Sequence, residues 1–156
     1  MTAARWLVLT WRLPASSSTP RVATWRKLQR LGAAGLTPGA AIVPYSEHLL
    51  EQLEWIAEEI VQRGGEAYVL PVTELPEADE KEITRRIRSQ SSEEYTQLRQ
   101  AAEALARRPA EPPRLEREIG ALERGLARAV ERDYFGSVGR SGAQRAIKSA
   151  RKRTEG

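Results

Sequence analysis

The chain has no cysteine, one histidine, one phenylalanine and one methionine among its 156 residues. Without thiols there are no disulfides and no thiolate zinc site, a composition that fits a reducing compartment. His48 alone is too little for a histidine-rich metal centre, and it reads as an exposed residue in the first turn of a helix. Long hydrophobic runs are also missing. Trp6-Leu7-Val8-Leu9, between Arg5 and Arg12, is far shorter than the roughly 20 apolar residues of a membrane span and does not read as a signal peptide, so a cytoplasmic location is expected. Aromatic residues make up only 6%, so the core must be built mainly from Leu, Ile, Val and Ala, with four tryptophans as local anchors.

Acidic residues are absent from the first 46 positions, which hold Arg5, Arg12, Arg21, Arg26, Lys27 and Arg30. From Glu74 to Asp133 both signs are dense, and after Asp133 Arg140, Arg145, Lys148, Arg151, Lys152 and Arg153 stand against Glu155 alone. Two basic zones around a mixed middle suggest a polyanionic partner.

The pattern of elements is legible. Arg5 to Trp11 reads as a buried strand, and the loop Ser16-Ser17-Ser18 leads to a helix beginning near Pro20, with Val22, Trp25, Leu28 and Leu31 near one face and Gly32 at its end. Leu36 to Ala40 is a turn between two short strands, the second stopping at Pro44. Ser46 caps a helix whose apolar stripe is Leu49, Leu53, Ile56 and Ile60, Gly64-Gly65 closes it, and Ala67 to Val72 is a last strand. This βαββαβ order predicts an α+β protein with a ferredoxin-like domain over residues 1–74. Past the Leu75-Pro76 linker, a polar helix is expected over Glu80 to Ser89. The stripes Tyr95, Leu98, Ala102, Leu105 and Leu115, Ile119, Leu122, Leu126, Ala129 predict an αα-hairpin within residues 75–135. Residues 136–156 form a basic tail with a helix from about Ser141 to Lys152.

The apolar strand, the Pro-started helix carrying Trp25-Arg26-Lys27, the Leu31-Gly32-Ala33 exit, the short strand Ala41-Ile42-Val43-Pro44 and the Asp133-Tyr134-Phe135-Gly136 segment together resemble the N-terminal domain of ChrB-type chromate-resistance regulators. More distantly they resemble the C-terminal domain of PaaX-type repressors and the ferredoxin-like nucleases of CRISPR adaptation. The ChrB resemblance implies a transcriptional regulator that acts on a chromate-resistance operon, with repression relieved by chromate. It also implies that full-length members continue into a further domain, with chromate bound either by this chain or by that domain.

Two segments are candidates for DNA contact. In the first helix these are Arg21, Arg26, Lys27 and Arg30, since guanidinium forks match phosphate oxygens. The competing reading pairs them with Glu47, Glu51, Glu54 and Glu58 of the next helix. In the tail, Arg145, Lys148, Arg151, Lys152 and Arg153 have no acidic neighbour before Glu155, so they suit counterion-release binding or form a solvated end. The nuclease resemblance puts a metal-binding carboxylate at the end of the first strand, where Thr10-Trp11-Arg12 offers none. Ser16-Ser17-Ser18 has no recognisable His-acid partner. No metal, cofactor or enzymatic activity is therefore expected. Trp6, Trp11 and Trp25 read as core rather than as base-stacking residues. The expected assembly is a homodimer with operator DNA as partner. The alternatives are a structural or dimerisation module that binds no DNA and, third, a nucleic-acid-processing enzyme.

Overall fold

The computed structural model describes residues 3–15, 19–109 and 111–155; the Ser16-Ser17-Ser18 loop lies outside them. The elements run β1 (Trp6–Arg12), α1 (Thr19–Arg30), β2 (Ala34–Thr37), β3 (Ala40–Pro44), α2 (Glu47–Gln62), β4 (Glu66–Val72), α3 (Glu77–Arg107), α4 (Pro112–Glu131) and α5 (Arg140–Thr154). They divide into two compact units, residues 1–84 and 85–156, with the boundary inside α3.

In the first unit the four strands form one antiparallel sheet in the order β2-β3-β1-β4. Side chains alternate across it. Leu7 and Leu9 share a face with their partners Val43, Ala41 and Val69, and α1 lies on that face, its Trp25 ring filling the space above Gly35. There Leu28 of α1 and Leu49, Leu53, Ile56 and Ile60 of α2 are buried. On the opposite face Trp6 and Ile42 are buried, whereas Tyr68 and Leu70 of the edge strand β4 are exposed.

Local chemistry sets the helix ends. Ser46 accepts a hydrogen bond from the Leu49 amide at 3.0 Å, as an N-cap should. At the other end of α2 the Gly65 amide donates back to the Ile60 carbonyl at 2.9 Å, and Gly64 takes φ +85°, the left-handed turn that glycine tolerates. A Cβ on Gly65 would stand 2.4 Å from the Arg12 carbonyl oxygen, so only glycine lets this turn close against the end of β1.

The second unit differs from the expectation in two respects. The polar helix expected over Glu80–Ser89 and the one starting near Tyr95 are a single helix, α3. Ser89-Gln90-Ser91-Ser92 suggests a break, but it holds neither Gly nor Pro, and the buried Ser91 continues the row Ile83, Ile87, Ser91, Tyr95 at four-residue spacing. The hairpin also acquires a third member. Tyr95 of α3, Ala129 of α4 and Ala143 of α5 form one buried cluster, and Leu105, Ile119 and Ala150 form another. Pairing Ala129 with Ala143 and Ile119 with Ala150 sets α5 antiparallel to α4. The basic segment is thus a core-forming helix rather than a loose tail.

Ile119 is fully buried. Ile119→Asp should lower stability by at least about 3 kcal/mol, because a carboxylate there has no partner; urea unfolding followed by circular dichroism checks this.

Candidate nucleic-acid interface

The two basic zones have different fates. In α1, Arg21, Arg26 and Arg30 are exposed, and Arg21 and Arg26 make no ion pair among the described residues. Lys27 is ion-paired with Glu59 of α2, which also accepts from Arg63 at 3.3 Å. The Lys27 hydrogen bond holds the Glu59 carboxyl below the usual carboxylate range. An interhelix pair therefore exists, but through Glu59, since Glu47, Glu51, Glu54 and Glu58 are exposed on the outside of α2. Residues 1–84 as a whole carry 8 Lys and Arg against 11 Asp and Glu, so the basic N-terminal zone seen in the sequence does not persist as a basic unit.

The second unit carries 17 Lys and Arg against 10 Asp and Glu. Its α5 buries Ala143, Ile147 and Ala150 and exposes Arg145, Lys148 and Lys152, which follow one another at helical spacing. None of these three cations has an ion pair among the described residues.

Arg151 and Arg153 depart from the expectation of a run without local neutralisation. Arg151 donates to Glu116 at 2.6 Å and is also paired with Glu123, and its hydrogen bond lowers the Glu123 carboxyl below its ordinary value. Arg153 donates to the Leu105 and Ala106 carbonyls at the end of α3, the place where a cation complements a helix terminus. Sequence neighbours could not reveal these partners, which lie on other helices.

Sequence reasoning also missed Arg117, Arg124 and Arg128 of α4, exposed and without an ion pair among the described residues. Their spacing of seven and four puts them on the side opposite Ile119, Leu122 and Leu126. The heptad pattern that marks the seam contains this signal too.

Asp133 fastens the connection that brings α5 back onto α4. It accepts from the Tyr95 hydroxyl at 2.9 Å, the Ser137 amide at 2.9 Å and the Ser137 hydroxyl at 2.7 Å. Burial alone would raise its pKa, but these hydrogen bonds and Arg140 outweigh it and hold the carboxyl below its ordinary value. The Tyr95 hydroxyl is pushed up to about 12 by burial and by this carboxylate. Nearby, Arg88 lies 5.9 Å from the Phe135 ring centroid.

The remaining candidates are easily placed. Trp6 is buried and Trp11 and Trp25 are half-buried, in keeping with core packing; His48 is exposed in the first turn of α2. Among the described residues no three His, Cys, Asp or Glu side chains stand together as a metal site, and no helix is long and apolar enough to cross a membrane.

These features define an α+β protein with an antiparallel sheet unit and a cationic three-helix unit. Residues 21–156 match the family described as Protein ChrB, N-terminal, and the chain belongs to that family. Protein ChrB of Cupriavidus metallidurans is 34% identical over 77 residues, which are 49% of this chain and 24% of that protein. The aligned stretch thus spans about a quarter of that relative's length. No solved structure matches.

Asp133→Asn should cost about 1–3 kcal/mol at neutral pH, because an amide nitrogen cannot accept from Ser137 or Tyr95. A carboxyl with a lowered folded-state pKa stabilises above its unfolded value, near 4, and that contribution fades as pH falls through the folded value. The stability difference between wild type and variant, from urea unfolding at several pH values, should therefore shrink below about pH 4.

Proposed function

We propose that this chain is the DNA-associated part of a chromate-responsive transcriptional regulator, working as a cytoplasmic homodimer on a chromate-resistance operon. Membership of the ChrB N-terminal family supports the regulatory context. The observation that carries the DNA reading is the charge partition: the sheet unit has an excess of acid, while the three-helix unit has a large excess of base and an unpaired row Arg145, Lys148, Lys152. A polyanion is repelled by the first and attracted by the second. We assign the sheet unit to the ferredoxin-like arrangement, supported by its βαββαβ order with β1 between β3 and β4. No catalytic step is assigned, and chromate is the effector in this reading.

Tyr68 and Leu70, 64% and 47% exposed on an edge strand, favour self-association through the sheet unit. Leu70→Glu should shift a dimer towards monomer in sedimentation velocity at micromolar concentration. A monomeric wild type would refute the dimer. A stable dimer that binds no DNA would instead support a purely structural module.

Deleting residues 140–156 is a poor test of DNA contact, because it removes Ala143, Ile147 and Ala150 from the core. Replacing Arg145, Lys148 and Lys152 by Gln leaves that stripe intact. Binding to the operon's upstream DNA, measured by anisotropy at several salt concentrations, should lose roughly 2 to 3 from the log-log slope, at about 0.9 per phosphate contact. Arg26→Ala/Arg30→Ala should change it less, and chromate should weaken binding. If the helix α1 variant loses the slope and the α5 variant keeps it, the contact surface is α1.

A further inference from the structure

We infer that the duplex-binding surface is a composite of α4 and α5, in which Arg151 serves to neutralise the acidic seam between the helices rather than to contact phosphate. The inference rests on the DNA-associated reading and goes beyond it by assigning α4 and a distinct role for one arginine. On α5 the free cations are Arg145, Lys148 and Lys152; on α4 they are Arg117, Arg124 and Arg128, all exposed. The helices are antiparallel, and on each the free cations lie on the side turned away from the buried stripe. Between them lie Glu116 and Glu123, which would repel a phosphate backbone if left uncompensated. Arg151 engages both, at 2.6 Å from Glu116 and in a bidentate pair with Glu123 through Nε and Nη2. Its side chain is only a quarter exposed, and two carboxylates occupy its forks, so it has few donors left for phosphate.

The apolar side chains of α5, Ala143, Ile147 and Ala150, are buried in the unit. That removes the apolar face that an interfacial membrane helix inserts and favours duplex DNA over a lipid surface.

The test uses the full chain and a mixed-sequence DNA duplex of two to three helical turns, with circular dichroism and melting to verify folding of each variant. Arg117→Gln/Arg124→Gln/Arg128→Gln should reduce the salt slope by roughly 2 to 3. Arg151→Gln should weaken binding about tenfold, against about threefold for Lys148→Gln, because it exposes two carboxylates as well as removing one charge. Adding Glu116→Gln and Glu123→Gln to Arg151→Gln should restore wild-type affinity and slope. An unchanged slope in the α4 variant, or failure of this rescue with folding intact, overturns the composite face. If the α5 variant alone loses the slope in that case, the DNA reading still stands. A wild type that ignores the duplex at low salt overturns both readings. Binding to vesicles of phosphatidylcholine and phosphatidylserine in equal parts as tightly as to DNA overturns the duplex assignment in favour of a lipid surface.

Discussion

The arrangement of the cationic unit depends on burial of a three-residue stripe, Ala143, Ile147 and Ala150, against α3 and α4. By itself α5 is a poor helix. It is 15 residues long, close to the length at which isolated helices are marginal in water, and it carries like charges at Lys148 and Lys152, one turn apart. Packing supplies what propensity does not. Two of the three buried residues are alanines, which let the backbones approach closely and bring Arg151 within reach of α4. Once the stripe is docked, the positions of the remaining cations follow from helical periodicity, so the charges form a row on a rigid element rather than a cloud on a mobile end.

The Asp133 network performs the complementary task at the turn. A connection of eight residues between α4 and α5 must reverse the chain, and it does so with Gly136 and Gly139 at positive φ and one carboxylate holding both Ser137 groups and the Tyr95 hydroxyl. Because Tyr95 is also central to a buried cluster, the same side chain couples the turn to the core of all three helices. A charged acceptor is favoured here because it takes several hydrogen bonds at once, which a neutral amide of the same shape cannot do.

Much of the first unit was legible because local rules govern it. Strand-length apolar runs, Ser46 before a helical stripe, and Gly32 and Gly64 where the chain turns back each act over a few residues, and the sheet order is consistent with the two crossovers they imply. The single helix α3 was obscured because serines carry weak propensity, and one of them, Ser91, is retained by burial rather than by preference. The partners of Arg151 and Arg153 were not legible, since they lie about 30 to 50 residues away in sequence. The α4 arginines could have been found from the seam pattern, because a stripe facing the core defines the stripe facing away. Segment totals of charge hide them, because Glu116, Glu118 and Glu123 cancel them there.

Segment totals mislead here for a physical reason. What a polyanion meets is the set of charges left unneutralised on one face, and tertiary contacts decide which those are. In the sheet unit, a stretch of 46 residues without acid lies beside a glutamate-rich helix and ends with more acid than base. In the helical unit, a mixed-charge helix has Glu116 and Glu123 answered by Arg151, and Glu118 by Arg114 at 3.5 Å, so its outward arginines are uncompensated. The first unit therefore loses the basic character of its N-terminal stretch, while the second keeps its excess of base. Since exposed charges are screened over about 8 Å at physiological ionic strength, a bound phosphate responds to the face it touches and hardly to the net charge of the chain.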